Sequence, residues 1–196
     1  MSKMKFVIEH LEKRVWPWCL VEYNSISDIV GKENLIFTNI KRRNKSLEKF
    51  GKCYKERFFE LIKKRNINTR KVCVLDPTAK EVLSSREAKN FEYFVFGGIL
   101  GDYPPQKRTK KELSPTLKNC VFRNIGKKQF PTDNAVLVVK EICRGKEFSE
   151  LKFKDKLEIK INEFESVELP FRYLVYEGKP FIREKLVRYL KRKRKF

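Results

Sequence analysis

Two periods of apolar residues run through the first half of the chain. Residues 5–11, KFVIEHL, form a short apolar run bounded by charge, the pattern of a buried strand. Residues 16–30 predict a helix that stops at Gly31. Residues 35–38 predict a second strand. From 45 to 64, Leu47, Phe50, Tyr54, Phe58 and Leu61 recur at helical steps and predict one long helix. Gly51 inside it would cost about 1 kcal/mol relative to alanine. Residues 71–75 predict a strand stopped by Asp76-Pro77, 84–90 a short helix, and 93–96 another buried strand. Strands alternating with helices predict an α/β fold with a mostly parallel sheet flanked by helices.

The second half is less regular. Residues 107–118 predict a basic helix and 120–123 a short strand. In TDNAVLVVKEIC, residues 132–143, the valines favour a strand. The Thr-Asp start after Pro131 and the Gly145 stop favour a helix, which is the reading adopted. That helix is apolar all round from Ala135 to Val139, so it should be deeply buried. Residues 156–161 and 166–169 predict two strands, and 185–194 a basic terminal helix.

Composition bounds the class. The 196 residues are 41% apolar, enough for one domain with a real core, and the whole of 1–196 is read as a single domain. No run of 18 uncharged apolar residues occurs, so no membrane span is expected; the charged N-terminus reads as a strand rather than a signal peptide. Five cysteines without a CxxC pair suggest reduced thiols and a cytoplasmic location. His10 is the single histidine, so no metal site is expected.

Charge changes the picture more. The net charge is +21, concentrated in three stretches. Residues 41–71 hold 13 basic and 3 acidic side chains, 107–128 hold 8 and 1, and 183–196 hold 8 and 1, leaving −3 elsewhere. Basic stretches on this scale point to a polyanion, RNA first, at the rim of the molecule. The bland alternative is a lysine-rich solvated surface.

The candidate chemistry centres on YFVFGGILGDYPP, residues 93–105, at the end of a predicted central strand. A dinucleotide fingerprint needs GxGxxG running into a helix; here GGxxG meets Asp102 and two prolines, and no GK[ST] follows. Gly97, Gly98 and Gly101 would let a flat adenosine approach the backbone, and Asp102 would accept hydroxyls or attract a cation. A tight turn needing positive φ is the structural alternative.

Four stretches together carry a resemblance: FVIEHLE (6–12) with CLVEY (19–23), FGGILGDYPP (96–105), FRNIGKKQFPTDNAV (122–136) and LPFRYL (169–174). In this order they resemble the SPOUT superfamily of S-adenosylmethionine-dependent methyltransferases. The resemblance is to the subfamily of the fungal arginine methyltransferase that modifies a ribosomal protein, and to its archaeal relatives, which are predicted RNA methyltransferases. It implies a C-terminal trefoil knot, with the knot and cofactor loops at about 93–145 and the strands and basic helix at 156–196. It also implies S-adenosylmethionine held by three loops: Gly97, Gly98, Leu100, Gly101 and Asp102; Phe122 and Asn124; and Gln129, Thr132, Asp133 and Ala135. A monomer is the expected state.

For a guanidinium nucleophile, a carboxylate should hold the group and receive its proton. Glu9, Glu22 and Asp102 are the candidates, with Glu9 put forward first; the alternatives are a strand-end surface residue for Glu9 and a helix-face ion pair for Glu22. His10 is more simply a structural residue. Arg123, the one arginine in a predicted cofactor loop, keeps an RNA methyltransferase in view, its plainer role being a salt bridge to Asp133 or Asp102; Arg172 is equally ambiguous. An acidic centre with a basic rim favours arginine methylation of a ribosomal protein or particle over RNA methylation. A ribosome-associated RNA-binding protein without turnover is the third possibility.

Overall fold

The computed structural model describes residues 4–101, 104 and 106–193. Six strands form one sheet: β1 (Lys5–His10), β2 (Leu35–Thr38), β3 (Lys52–Cys53), β4 (Val72–Leu75), β5 (Tyr93–Gly98) and β6 (Val121–Arg123). Their order is β3-β2-β1-β5-β4-β6, and every pair is parallel. The central register sets Phe6 against Phe94, Ile8 against Phe96 and His10 against Gly98.

Alternation along these strands feeds two apolar layers. Phe6, Ile8, Phe94 and Phe96 pack with α1 (Pro17–Val30) and α5 (Thr132–Cys143). Val7, Val72, Val74 and Val95 pack on the opposite face with Phe58 and Leu61 of α3 (Phe58–Lys64) and with Leu113 and Leu117. Because all six strands are parallel, their carboxyl ends share one edge. The chain runs outward from β1 on both sides there, the place where open α/β sheets form a crevice.

Three expectations need correction. The long helix over 45–64 is two pieces, α2 (Lys45–Glu48) and α3, separated by β3. A Cβ on Gly51 would lie 2.7 Å from the Leu35 carbonyl oxygen, so the chain runs flush against β2 where a helix would stand off. The basic helix over 107–118 is a wide π-helical turn, Thr109–Leu113, followed by a tight 3₁₀ turn, Ser114–Leu117. Pro115 lacks the N–H that would continue the ladder.

The third correction lengthens the strand begun at 166. β7 (Phe153–Lys160) and β8 (Ser166–Tyr176) form an antiparallel hairpin, extended by β9 (Lys179–Pro180). The strand predicted over 166–169 runs on through Pro170 to Tyr176. The register shifts between Asp155 and Leu157, with Asp155 facing Arg172 and Leu157 facing Leu169. Pro170 and Phe171 thus oppose Lys156 alone, at a bulge where the missing N–H costs no ladder bond.

Before the hairpin lies α4 (Ser85–Ala88), and after it α6 (Glu184–Lys193). Leu169, Tyr173 and Leu190 share a small core with Trp18 of α1. Among the described residues, no helix is long and apolar enough to cross a membrane.

Candidate active site

Two adjoining cavities open at the carboxyl edge of the sheet. The first, about 420 Å³, is within the range of small-ligand sites. Its lining comes from the carboxyl end of β4 and the loop after it (75–79), from Phe96, Gly97 and Ile99, from 106–110, and from Ile125, Gly126, Gln129, Phe130, Thr132 and Ala135. Apolar walls from Leu75, Phe96, Ile125 and Ala135 suit a flat ring, and Thr78, Gln106, Thr109, Gln129 and Thr132 supply polar groups.

Of the three predicted loops, all reach this cavity, though not through every expected residue. Gly97, Gln129, Thr132 and Ala135 line it. Leu100 and Gly101 line the second cavity instead. Asp102 lies outside the described residues. Gly98 is not a lining residue; a Cβ there would sit 2.5 Å from the Tyr23 hydroxyl and 2.8 Å from Ile8. It is glycine because α1 packs down on β5. Likewise a Cβ on Gly101 would strike the Phe171 ring at 2.5 Å. None of Gly97, Gly98 and Gly101 has a positive φ, so the tight-turn alternative fails. Phe122 packs in the layer on the α3 side. Asn124 is a brace: its amide donates to the Ala79 and Glu81 carbonyls, and its Oδ1 accepts from Gly126 N.

Sequence reasoning missed the 75–79 loop and the 106–110 segment. Asp76 ties the first of these to the 3₁₀ turn at Ser114: it accepts from Thr78 N and Oγ1 at 2.8 Å each and from Ser114 Oγ at 2.5 Å. Arg108 holds the glycine segment from the other side. It donates to Glu12 at 2.6 Å and to Glu112 at 2.7 Å, and Glu12 accepts from Leu100 N.

The second cavity, about 310 Å³, shares Ile99 and Phe130 with the first. Trp16, Trp18, Phe171 and Tyr189 give it an aromatic wall, and Glu22 lies in it. Glu22 belongs to the buried stripe of α1, with Cys19, Tyr23 and Ile26. Trp18 Nε1 donates to its Oε1 at 2.9 Å. Asp133, in the first turn of α5, is buried beside it. Burial first, then the Asp133 charge, push the Glu22 carboxyl up to about 8, against hydrogen bonds from Trp18 and Thr132. Burial also raises Asp133, opposed by bonds from Ser25 and Asn134 and by the Arg183 charge. The aromatic wall already carries one guanidinium: Arg14 stacks 3.6 Å from the Trp16 ring centre.

The remaining candidates serve the fold. Glu9 was put forward as the carboxylate facing the reacting group. It is 1% exposed, lines neither cavity, and accepts from Arg57 Nε at 2.6 Å, Thr38 Oγ1 at 2.5 Å and Phe58 N at 2.8 Å. It ties α3 to the sheet. Arg123 lines neither cavity and pairs with Glu87 and Glu81 at 2.7 and 2.8 Å, not with Asp133. Arg172 grips Asp155 through Nε and Nη2, at 2.7 and 2.9 Å. His10 is buried, with Nδ1 2.8 Å from the Tyr23 hydroxyl, and burial lowers its pKa.

The charge map is also redrawn. The mouth of the first cavity is basic, with Lys107, Lys110, Lys127 and Lys128. The acidic residue of the second cavity is Glu22, with Asp133 buried beside it outside the cavity lining.

Comparison with known proteins places this geometry. The family profile described as "Protein arginine N-methyltransferase SFM1-like" matches residues 5–195. The chain is 36% identical to protein arginine N-methyltransferase SFM1 of Saccharomyces cerevisiae, covering 96% of this chain and 95% of that one. The yeast SFM1 structure complexed with SAM superposes with a TM-score of 0.88 at 33% identity, covering 98% of this chain and 92% of the other. The dual-specific Trm10 of Thermococcus kodakaraensis, at 20% identity and a TM-score of 0.60 over 75% of this chain and 96% of its own, shares the fold. The chain belongs to the SFM1-like protein arginine N-methyltransferase family.

Proposed function

We propose that the chain is an S-adenosylmethionine-dependent methyltransferase that modifies an arginine side chain of a protein, with a ribosomal protein as the substrate class. The family is that of an arginine methyltransferase, and yeast SFM1 structures hold SAM and SAH. The cofactor belongs in the 420 Å³ cavity, whose apolar walls and threonine and glutamine side chains suit a nucleoside. When bound, it supplies an electrophilic methyl group.

The observation that carries the choice of substrate is Glu22. A carboxylate buried among four aromatic side chains, one wall away from the cofactor cavity, is suited to a guanidinium. Rings stabilise the cation's faces, and the carboxylate holds its edge. Glu22 accepts hydrogen bonds from the substrate nitrogens and takes the proton that the attacking nitrogen loses. Bound in the first cavity, the cofactor would give its methyl group to that nitrogen and leave as the neutral thioether, with the displaced proton going to Glu22. Alignment supplies most of the rate, up to roughly 7–11 kcal/mol. The Glu22 pKa of about 8 keeps the empty pocket close to neutral, and an entering cation drives the proton off.

RNA methylation is favoured only by the four lysines at the mouth of the cofactor cavity. Arg123, its expected catalytic arginine, is committed to Glu81 and Glu87. The knotted threading implied by the sequence resemblance remains part of this proposal. The test is transfer of labelled methyl groups to ribosomal subunits that lack the modification. Counts that survive ribonuclease and are lost to protease, recovered as methylarginine, support the proposal. Counts lost to ribonuclease overturn it.

A further inference from the structure

We infer that the surface built by residues 41–65 is a binding site for RNA, placed beside the cofactor cavity and independent of the methyl-transfer proposal. Between 41 and 71 eleven of the thirteen Lys and Arg residues are exposed. Among the described residues, only two of those eleven form ion pairs, Arg43 with Glu48 and Lys64 with Glu56. The rest repel one another, and the fold gains nothing from their crowding. One or two lysines would be enough to guard β3, the edge strand of the sheet.

Two half-buried rings organise the patch. Tyr54 carries Arg65 at 4.7 Å and Lys52 at 5.4 Å from its centre, and Phe59 carries Arg57 at 5.7 Å and Lys63 at 5.8 Å. Ring contacts pin the long stems, so their heads lose less freedom when they meet phosphate. Arg57 spends its guanidinium inward on Glu9 and Glu112, whereas Arg65, exposed on the Tyr54 ring, offers its planar donor fork to a phosphate oxygen pair. Rings interleaved with cations also suit unstacked bases of single-stranded RNA better than a closed duplex.

A membrane surface is the poorer partner. Among the described residues the exposed large apolar side chains are Val82 and Phe164, and neither belongs to this segment. An interfacial helix needs apolar insertion as well as charge.

The patch is wired to the cavity. Arg57, at the start of α3, bonds Glu9 through Nε and the Glu112 carbonyl through Nη2. Glu112 lies in the same turn as Thr109 and Lys110, which line the cofactor cavity. RNA on this surface would therefore run toward the lysines at the cavity mouth, and a protein presented together with RNA could reach the second cavity.

The test is fluorescence anisotropy with a labelled, mixed-sequence, 16-nucleotide single-stranded RNA. With five phosphate contacts, affinity should fall about a hundredfold between 50 and 200 mM KCl. Lys49→Glu/Lys52→Glu/Arg65→Glu should lose at least thirtyfold at 100 mM KCl while melting within a few degrees of the parent. Lys52→Gln/Arg65→Gln, a milder pair, should lose at least threefold and covers the case in which the triple variant misfolds. A matched control, Lys185→Glu/Arg188→Glu/Lys191→Glu on α6, should lose under fivefold. Equal losses in control and test variants would overturn the site, as would equal affinity for duplex DNA, or binding to phosphatidylserine vesicles without binding to RNA.

Discussion

Glu9 and Glu22 are both nearly sealed from solvent, and their surroundings are opposite. Glu9 receives a guanidinium, a hydroxyl and a backbone N–H from the fold itself. Glu22 receives an indole N–H and sits beside a second carboxylate and a wall of rings. A buried charge with its partners in place ties elements together. A buried carboxyl raised toward neutrality beside an open cavity is arranged for a cation from outside. The adjacent glycines repeat the contrast. Gly98 makes room for Tyr23 and Ile8, whereas Gly97 lines the first cavity.

The sharpest way to break this contrast is to neutralise each glutamate. Glu22→Gln should lower kcat about a thousandfold, about 4 kcal/mol in barrier, with cofactor affinity by calorimetry unchanged. Glu9→Ala should do its damage to stability. Removing the anchor of Arg57 and Phe58 should lower the unfolding free energy by about 3 kcal/mol, read by denaturant titration, with kcat of the folded fraction within threefold of the parent.

The glycines give smaller effects. Gly98→Val should cost about 2 kcal/mol of stability through the clash with Tyr23 and Ile8. Gly97→Val meets side-chain atoms, the flexible end of Ile99 at 2.9 Å and Thr109 Oγ1 at 3.4 Å, so the protein should fold and bind cofactor about tenfold more weakly, about 1.4 kcal/mol. Equal loss of cofactor affinity in both variants, with stability intact, would erase the distinction.

The smallest effect tests the carboxylate pair. Glu22 must lose its proton to work, so kcat/KM should rise with pH through about 8. The neighbours that set this value are Asp133, Thr132 and Trp18, with Arg183 acting on Asp133. Asp133→Asn removes a like charge and should move the rise to lower pH. The linkage to stability follows the same sign. The folded state keeps the Glu22 proton above 4.5, where the unfolded chain has lost it, so stability from this group declines as pH climbs from 4.5 to about 8. Glu22→Gln should flatten that decline in a pH series of melting curves.

Much of the sheet was legible because buried parallel strands read as apolar runs, as in Phe6–Ile8 and Phe94–Phe96 within β1 and β5. The helix expected over 45–64 failed because periodicity cannot see that Gly51 passes 2.7 Å from a neighbouring carbonyl. At the site, the glycine segment and the turn before α5 were visible as motifs. The 75–79 loop was not, since Asp76-Pro77 looks like any strand terminator. Glu22 carried a usable signal, a carboxylate on the apolar stripe of α1 between Cys19 and Ile26. Its partners from residues 16, 18, 171 and 189 were beyond reach, because only the docking of β8 and α6 onto α1 brings them together.

The most direct measurement is the titration of Glu22 itself, followed by carbon NMR of a protein labelled at glutamate carboxyls and assigned with Glu22→Gln. Alone, the Glu22 signal should titrate near 8. With S-adenosylhomocysteine and an arginine-containing peptide bound, its midpoint should fall by at least one unit, because the guanidinium favours the carboxylate. A Glu22 midpoint indifferent to the peptide would contradict the assignment of the aromatic cavity to the substrate arginine.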